Sequence, residues 1–198
     1  MKTIKIDSRE VNMFFTSDLH LSHNGIVPHR PNFSSVEDMN ESLILNWNKR
    51  VASDDIVFVL GDFCFHGKQI WNKFISRLNG FIWLIEGNHD KSIPKDIKDK
   101  FQSTPGFLNL RIQDDDFKQK EQRVTLCHYP MMSWYQSHAG SWQLFGHIHS
   151  SPTSVSIDYI RLRDRFYNQM DVGVDAHNFT PLHWEEVKQI MNKKINKL

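Results

Sequence analysis

VNMFFT at residues 11–16 runs straight into Ser17-Asp18-Leu19-His20, and that junction decides the fold. The apolar run reads as a short buried strand, and residues able to bind a metal or move a proton follow at its carboxyl end. The arrangement recurs. IVFVL at 56–60 stops at Gly61-Asp62, and FIWLI at 81–85 stops at Glu86-Gly87-Asn88-His89-Asp90. The run at 123–127 is followed by His128, and the run at 142–145 by Gly146-His147-Ile148-His149. In α/β sheets, ligands settle in the crevice outside the carboxyl ends of the strands. Nine polar residues from five segments are therefore expected at one edge of the molecule.

Helical signals separate the first strands. Ser34 or Ser35, with Glu37 or Asp38 three residues on, looks like a capping box. The helix it opens should turn Met39, Leu43, Leu45, Trp47 and Val51 toward the core. Residues 68–79 read as a second helix, with Ile70, Trp71, Phe74, Ile75 and Leu78 on one face and Gly80 as its stop. From residue 107 strands dominate: 107–112 and 123–127, joined by a polar excursion through Asp114, Asp115 and Asp116, then 142–145 and 170–174. A last amphipathic helix spans 181–196, its basic end favourable to the helix dipole. The fold class is α/β, with either one mixed sheet or two packed sheets. Residues 1–198 read as one domain, without repeat or linker.

Composition narrows the function. The chain has 198 residues, 24 Lys+Arg against 23 Asp+Glu, 39% apolar and 12% aromatic residues, which is a globular composition with a formal net charge of +1. No apolar run approaches the roughly 18 residues of a membrane span. Residues 1–10 alternate charge with isoleucine and do not read as a secretory signal. Two cysteines, Cys64 and Cys127, make no disulfide framework, and a reducing cytoplasm fits them best. Near-zero net charge argues against wrapping a long nucleic acid. The 11 histidines stand out, because five of them fall at strand ends.

Three Asp, one Asn and five His are costly to bury without partners. Divalent cations satisfy such a set. Carboxylate, imidazole and amide oxygen with no thiolate suit Mn, Fe or Zn, and seven ligands are too many for one tetrahedral zinc. Two ions sharing a carboxylate fit the number, and paired metals roughly 3.5–4 Å apart activate water for displacement at phosphorus.

Asp18-x-His20, Gly61-Asp62, Gly87-Asn88-His89-Asp90, His128 and Gly146-His147-x-His149 resemble the five signature blocks of the calcineurin-like metallophosphoesterases, in order, across residues 12 to 175. DVGVD at 171–175, followed by Pro181, is similar to the end of small bacterial and phage-type members. The resemblance implies a four-layer α/β/β/α sandwich of two mixed sheets flanked by helices. It implies that Asp18, His20 and His149 hold one ion, that Asn88, His128 and His147 hold the other, and that Asp62 bridges them. A hydroxide between the metals would attack phosphorus, with His89 as the general acid, Asp90 holding its ring and Asn88 also touching a phosphoryl oxygen. The implied cofactor is a pair of divalent ions, manganese first, with iron, zinc or nickel as alternatives. The implied substrate is a small phosphomonoester or phosphodiester, a nucleotide included. A non-catalytic binding scaffold and a nuclease acting on nucleic-acid ends are the alternatives, and neither a lost ligand nor a basic surface points to them.

The remaining candidates have plainer readings. His23 and His66 are placed to reach the mouth of the site, as substrate contacts or supports. His29, His138, His177 and His183 read as ordinary core or surface residues. Trp134 and Tyr135 read as packing under a loop, or as a stacking surface for a base. Asp114–Asp116 reads as a solvated turn, Cys127 as inert core, and the alternating Arg161, Arg163 and Arg165 as a charged strand edge.

Overall fold

The computed structural model describes residues 3–90, 101–104, 106–150 and 168–196. Side-chain alternation divides its strands between two cores. In β1 (Thr3–Asp7), β2 (Met13–Thr16), β3 (Ile56–Val59), β4 (Phe81–Ile85) and β5 (Phe101–Thr104) the middle three carry apolar residues at nearly every position. Phe14, Val57, Val59, Ile82 and Leu84 face one core; Met13, Phe15, Phe58 and Ile85 face the other. Burial on both faces explains why these strands read as unbroken apolar runs. In β6 (Phe107–Gln113) and β7 (Glu121–Cys127) the period is two, with Leu108, Leu110, Ile112, Val124 and Leu126 buried in the second core. Trp142 and Leu144 of β8 (Trp142–Phe145), Met170 of β9 (Gln169–Asp171) and Leu182 of β10 (Leu182–His183) join that core.

Two mixed five-stranded sheets result. The first runs β10-β2-β3-β4-β5, parallel except for the β10–β2 pair; the second runs β1-β6-β7-β8-β9, parallel except for β6–β7. Their facing side chains form the second core. Helices α1 (Val36–Asn48) and α2 (Lys68–Ile75) cover the other face of the first sheet with Met39, Leu43, Trp47, Trp71, Phe74 and Ile75. Helix α3 (Trp184–Ile195) inserts Trp184, Val187 and Met191 into the core between the sheets. This is the expected architecture of two mixed sheets with flanking helices. Among the described residues, no helix is long and apolar enough to cross a membrane.

Several local readings change. Leu45 is 55% exposed and Ile44 is buried instead, because Leu45 stands about 200° around α1 from Leu43. At the start of α1, Ser35 Oγ accepts from Asp38 N at 3.1 Å, while the Asp38 carboxylate turns back to Ser34 N and Oγ, both at 2.9 Å. Helix α2 stops at Ile75, and the chain still buries Leu78 before Gly80 turns at φ 85°. The final helix begins at Trp184 because Leu182 and His183 pair with β2, and His183 then caps the helix reciprocally with Glu186. The late strand ends at Asp171, and Val174 lies in a 3-10 turn. Strand β1 lies outside the expected elements, although its Ile4-Lys5-Ile6 alternation is that of a half-buried strand.

Asp114 is no solvated residue: it is buried, accepting from the Trp184 indole N–H at 2.7 Å and pairing with Lys188 at 2.9 Å. Asp116 and Glu185 converge on the same ammonium. Lys188 thus supplies the cation that this acidic trio needs. Arg161, Arg163 and Arg165 lie outside the described residues.

Candidate metal centre

The strand ends continue to pair after the strands are formally over. Asp18 N donates to Gly61 O at 3.0 Å, His20 N to Asp62 O at 2.9 Å, and Gly146 N to His128 O at 3.0 Å. Loops within each sheet are stitched together in this way, and His128 Nδ1 on Leu60 O and His147 N on Asp18 Oδ2 join the loops of one sheet to those of the other. Asp18, His20, Asp62, His147 and His149 all have left-handed backbones, with φ of 57°, 51°, 53°, 74° and 46°. Such strain, of order 1–3 kcal/mol per residue, persists only where surroundings enforce it. Glycines make the close approaches feasible. A Cβ on Gly61 would sit 2.3 Å from His128 Nδ1, and one on Gly146 would sit 1.9 Å from Ser17 Oγ and 2.5 Å from Asp18 Oδ2.

Asp18, His20 and His149 each offer a ligand atom, all within 4.8 Å of one another. Asp18 Oδ1 lies 3.9 Å from both His20 Nε2 and His149 Nε2. Asp18 Oδ2 accepts from His147 N at 2.9 Å, whereas Asp18 Oδ1 and His20 Nε2 are buried with no hydrogen-bond partner. Orphaned buried polar atoms are rare in native proteins, and these two face the same gap. Burial pushes the Asp18 carboxyl up to about 8, with the Asp171 carboxylate adding to the rise, and pushes the His20 imidazole down to about 2. Neutral His20 keeps a lone pair for a cation, and the Asp18 carboxyl, held protonated by burial, would give up its proton to one.

His149 is steered by residues the sequence did not flag. Its Nδ1 meets Asp175 Oδ2 at 2.9 Å, and Asp175 is held by Arg30 through Nε and Nη2, both at 2.8 Å. Arg30, 1% exposed, also donates to the carbonyls of Asp18 at 2.6 Å and Leu19 at 3.0 Å. Burial alone would raise the Asp175 pKa, but hydrogen bonds from His149 and Arg30 overcome it and hold the carboxyl at about 2. A carboxylate on the far nitrogen fixes an imidazole's tautomer and sharpens it as a ligand. Asp175→Asn should weaken cation binding roughly ten- to hundredfold in a metal titration; unchanged affinity would remove this orienting role.

Asp62, His128 and His147 form a second group, also within 4.8 Å. His128 Nδ1 sits 2.7 Å from Leu60 O, so it carries the proton and donates, leaving Nε2 as a lone pair. That Nε2 faces Asn88 Oδ1 at 2.9 Å, two acceptors together, as around a cation. Asp62 Oδ2 stands between the groups, 3.5 Å from His20 Nε2 and 3.6 Å from His128 Nε2. The donors are carboxylate, imidazole and amide oxygen, a set suited to divalent cations.

The model of one protein family, calcineurin-like phosphoesterase, matches residues 12–194. The chain belongs to that family. It is 29% identical over 185 residues to an uncharacterized protein of Methanocaldococcus jannaschii, covering 91% of this chain and 92% of that one. It is 25% identical over 213 residues to the gene 66 protein of Mycobacterium phage D29, covering 91% and 96%. Its fold is similar to that of the protein AQ665 of unknown function from Aquifex aeolicus, with a TM-score of 0.63 at 21% identity over 91% of this chain and 99% of that one.

In this calcineurin-like phosphoesterase, Asn88 and His89 are exposed at the rim. His89 N donates to Asp62 Oδ1 at 3.0 Å, which leaves Oδ2 facing the two groups. Asp90 takes a different part from the one expected. Its oxygens accept from Asp62 N and Phe63 N at 2.9 Å and Gly87 N at 2.8 Å. It clamps two loop backbones rather than the His89 ring, because three converging N–H groups satisfy a half-buried carboxylate. The His89 ring instead stands 4.8 Å from that of Phe65 and 5.8 Å from that of His20.

His23 lies flat on Phe65, rings 3.7 Å apart at 4°, with its Nδ1 3.2 Å from His20 Nδ1. With His20 Nε2 turned to the gap, its Nδ1–H donates to His23, which thereby fixes that ring. His66 is exposed just beyond Phe65. Trp134 is buried with its N–H on Ser141 O at 3.2 Å, so packing is its role, and Tyr135 lies elsewhere, on the second sheet. Cys64 and Cys127 are buried thiols that burial pushes upward, as inert core requires. Asp175 was audible only within DVGVD; nothing marked Arg30, whose partners are 145 residues away or carbonyl oxygens.

Proposed function

We propose that this protein is a dinuclear metal-dependent phosphoesterase hydrolysing a small phosphomonoester or phosphodiester. The observation carrying the reading is Asp62 Oδ2, 3.5 Å and 3.6 Å from one histidine of each ligand group, beside the orphaned Asp18 Oδ1 and His20 Nε2. Asp18, His20 and His149 would hold one cation, Asn88, His128 and His147 the other, and Asp62 would serve both. Bound divalent cations supply an acidified water and neutralise phosphoryl charge. Asn88, at the rim, orients a phosphoryl oxygen through its amide. His89 gives its proton to the ester oxygen as the phosphorus–oxygen bond breaks. Manganese is the first choice of metal.

The test is hydrolysis of p-nitrophenyl phosphate and its bis ester by metal-stripped protein, alone and with Mn, Fe, Zn or Ni restored. Activity should vanish with chelator and return with metal. His89→Ala should lower kcat by roughly 10²–10⁴-fold while metal content stays at two ions. An inert protein that binds two ions, or wild-type turnover in His89→Ala, would sink the assignment.

A further inference from the structure

A second candidate site lies on the outer face of the second sheet, where strand register builds two cross-strand rows. Thr3, Asn109 and Thr125 stand opposite one another on β1, β6 and β7, and Lys5, Arg111 and Arg123 do the same one step along. Like charges directly opposite each other destabilise a sheet unless something compensates. Glu121 pairs with Arg111 at 2.7 Å and Arg123 at 3.3 Å, so one carboxylate serves two cations in a row of three. These rows line a cavity of about 300 Å³, with Tyr135 on its wall and no carboxylate among the described residues that line it. Its floor holds a further unmet need. Asn109, 3% exposed, receives the Thr125 hydroxyl on Oδ1 at 2.8 Å, while its Nδ2 is buried with no acceptor. A cationic row, an unpaired amide donor and an aromatic wall describe an anion that carries a ring.

We propose that this cavity binds a nucleoside monophosphate, its phosphate across Lys5, Arg111 and Arg123 and its base against Tyr135. The volume falls within the range of small-molecule sites and exceeds what inorganic phosphate fills. Arg123 lies five residues before His128, about 16 Å back along β7, so the cavity is separate from the metal centre.

Calorimetric titration of the full chain, stripped of divalent cations, isolates this cavity, because phosphate binding at the metal centre needs the cations. AMP should bind and adenosine should not. Lys5→Gln and Arg111→Gln should each weaken AMP binding roughly tenfold, the scale of a charge-assisted hydrogen bond. Lys5 is exposed on β1, so Lys5→Gln should keep the wild-type unfolding temperature and phosphoesterase kcat. No heat with AMP up to about 1 mM, unchanged affinity in both variants, or a dimer of this chain that covers the face and excludes AMP would each overturn the proposal. Because metal-free binding is measured, failure here leaves the phosphoesterase reading standing, and the converse holds.

Discussion

Asp62→Asn should abolish metal-dependent hydrolysis while leaving the metal-free protein at least as stable as the wild type. Asparagine keeps an oxygen for the His89 N–H that Asp62 Oδ1 accepts at 3.0 Å. Its NH2 then falls where Oδ2 now stands, 3.5 Å from His20 Nε2 and 3.6 Å from His128 Nε2, and donates to those lone pairs. The orphaned His20 Nε2 gains a partner, and the position able to serve both ligand groups is lost. Transition-state stabilisation by paired cations amounts to several kcal/mol, so kcat should fall at least about a thousandfold at 1.36 kcal/mol per factor of ten. Thermal unfolding with and without manganese separates the two claims. Wild-type protein should gain roughly 2.7 kcal/mol at a hundredfold excess of metal over Kd, and the variant should gain little. A variant that still takes up two ions and turns over normally would show that Asp62 is not shared.

Arg30→Ala carries the largest expected loss of stability. The guanidinium is 1% exposed and satisfies Asp175 twice, the carbonyls of Asp18 and Leu19, and Met39 Sδ at 3.4 Å. Removing one partner of a buried ion pair costs about 3–5 kcal/mol, because the other charge is left in a dry site. The Asp175 carboxylate would be that charge. Asp175→Asn in the same chain should recover part of the loss, and the coupling from a double-mutant cycle in urea measures how much. Additive losses would mean that Arg30 acts through the loop carbonyls alone. Metal affinity should fall in Arg30→Ala as well, since Asp175 then holds the His149 ring less firmly.

The local record in the chain was informative wherever one residue type had one physical outlet. Unbroken apolar runs at β2, β3 and β4 could only be strands buried on both faces, and the polar residues after them had to gather at the carboxyl edge. Ser34 or Ser35 had to open the helix, and Ser35 is the cap. Leu45 was misjudged because hydrophobicity alone does not say which side of a helix meets the sheet. Asp114 was misjudged because its partner, Lys188, is 74 residues away in sequence. Tyr135 reads from the sequence as loop packing or a stacking surface, and only the fold sets it by the Arg111–Arg123 row of the second sheet.

By itself, the sequence determined the strands that lead into the ligand blocks, the order of those blocks and the donor types, since these follow from hydrophobic period and side-chain chemistry within a few residues. Only the tertiary structure decided the roles that depend on direction. Asp90 binds backbone N–H groups rather than a histidine ring. Arg30 and Asp175 hold His149. Asp62 turns one oxygen to His89 and the other to the gap. The physical reason is that a hydrogen bond is satisfied by position and angle in space, and loops joined across two sheets set those for residues far apart along the chain.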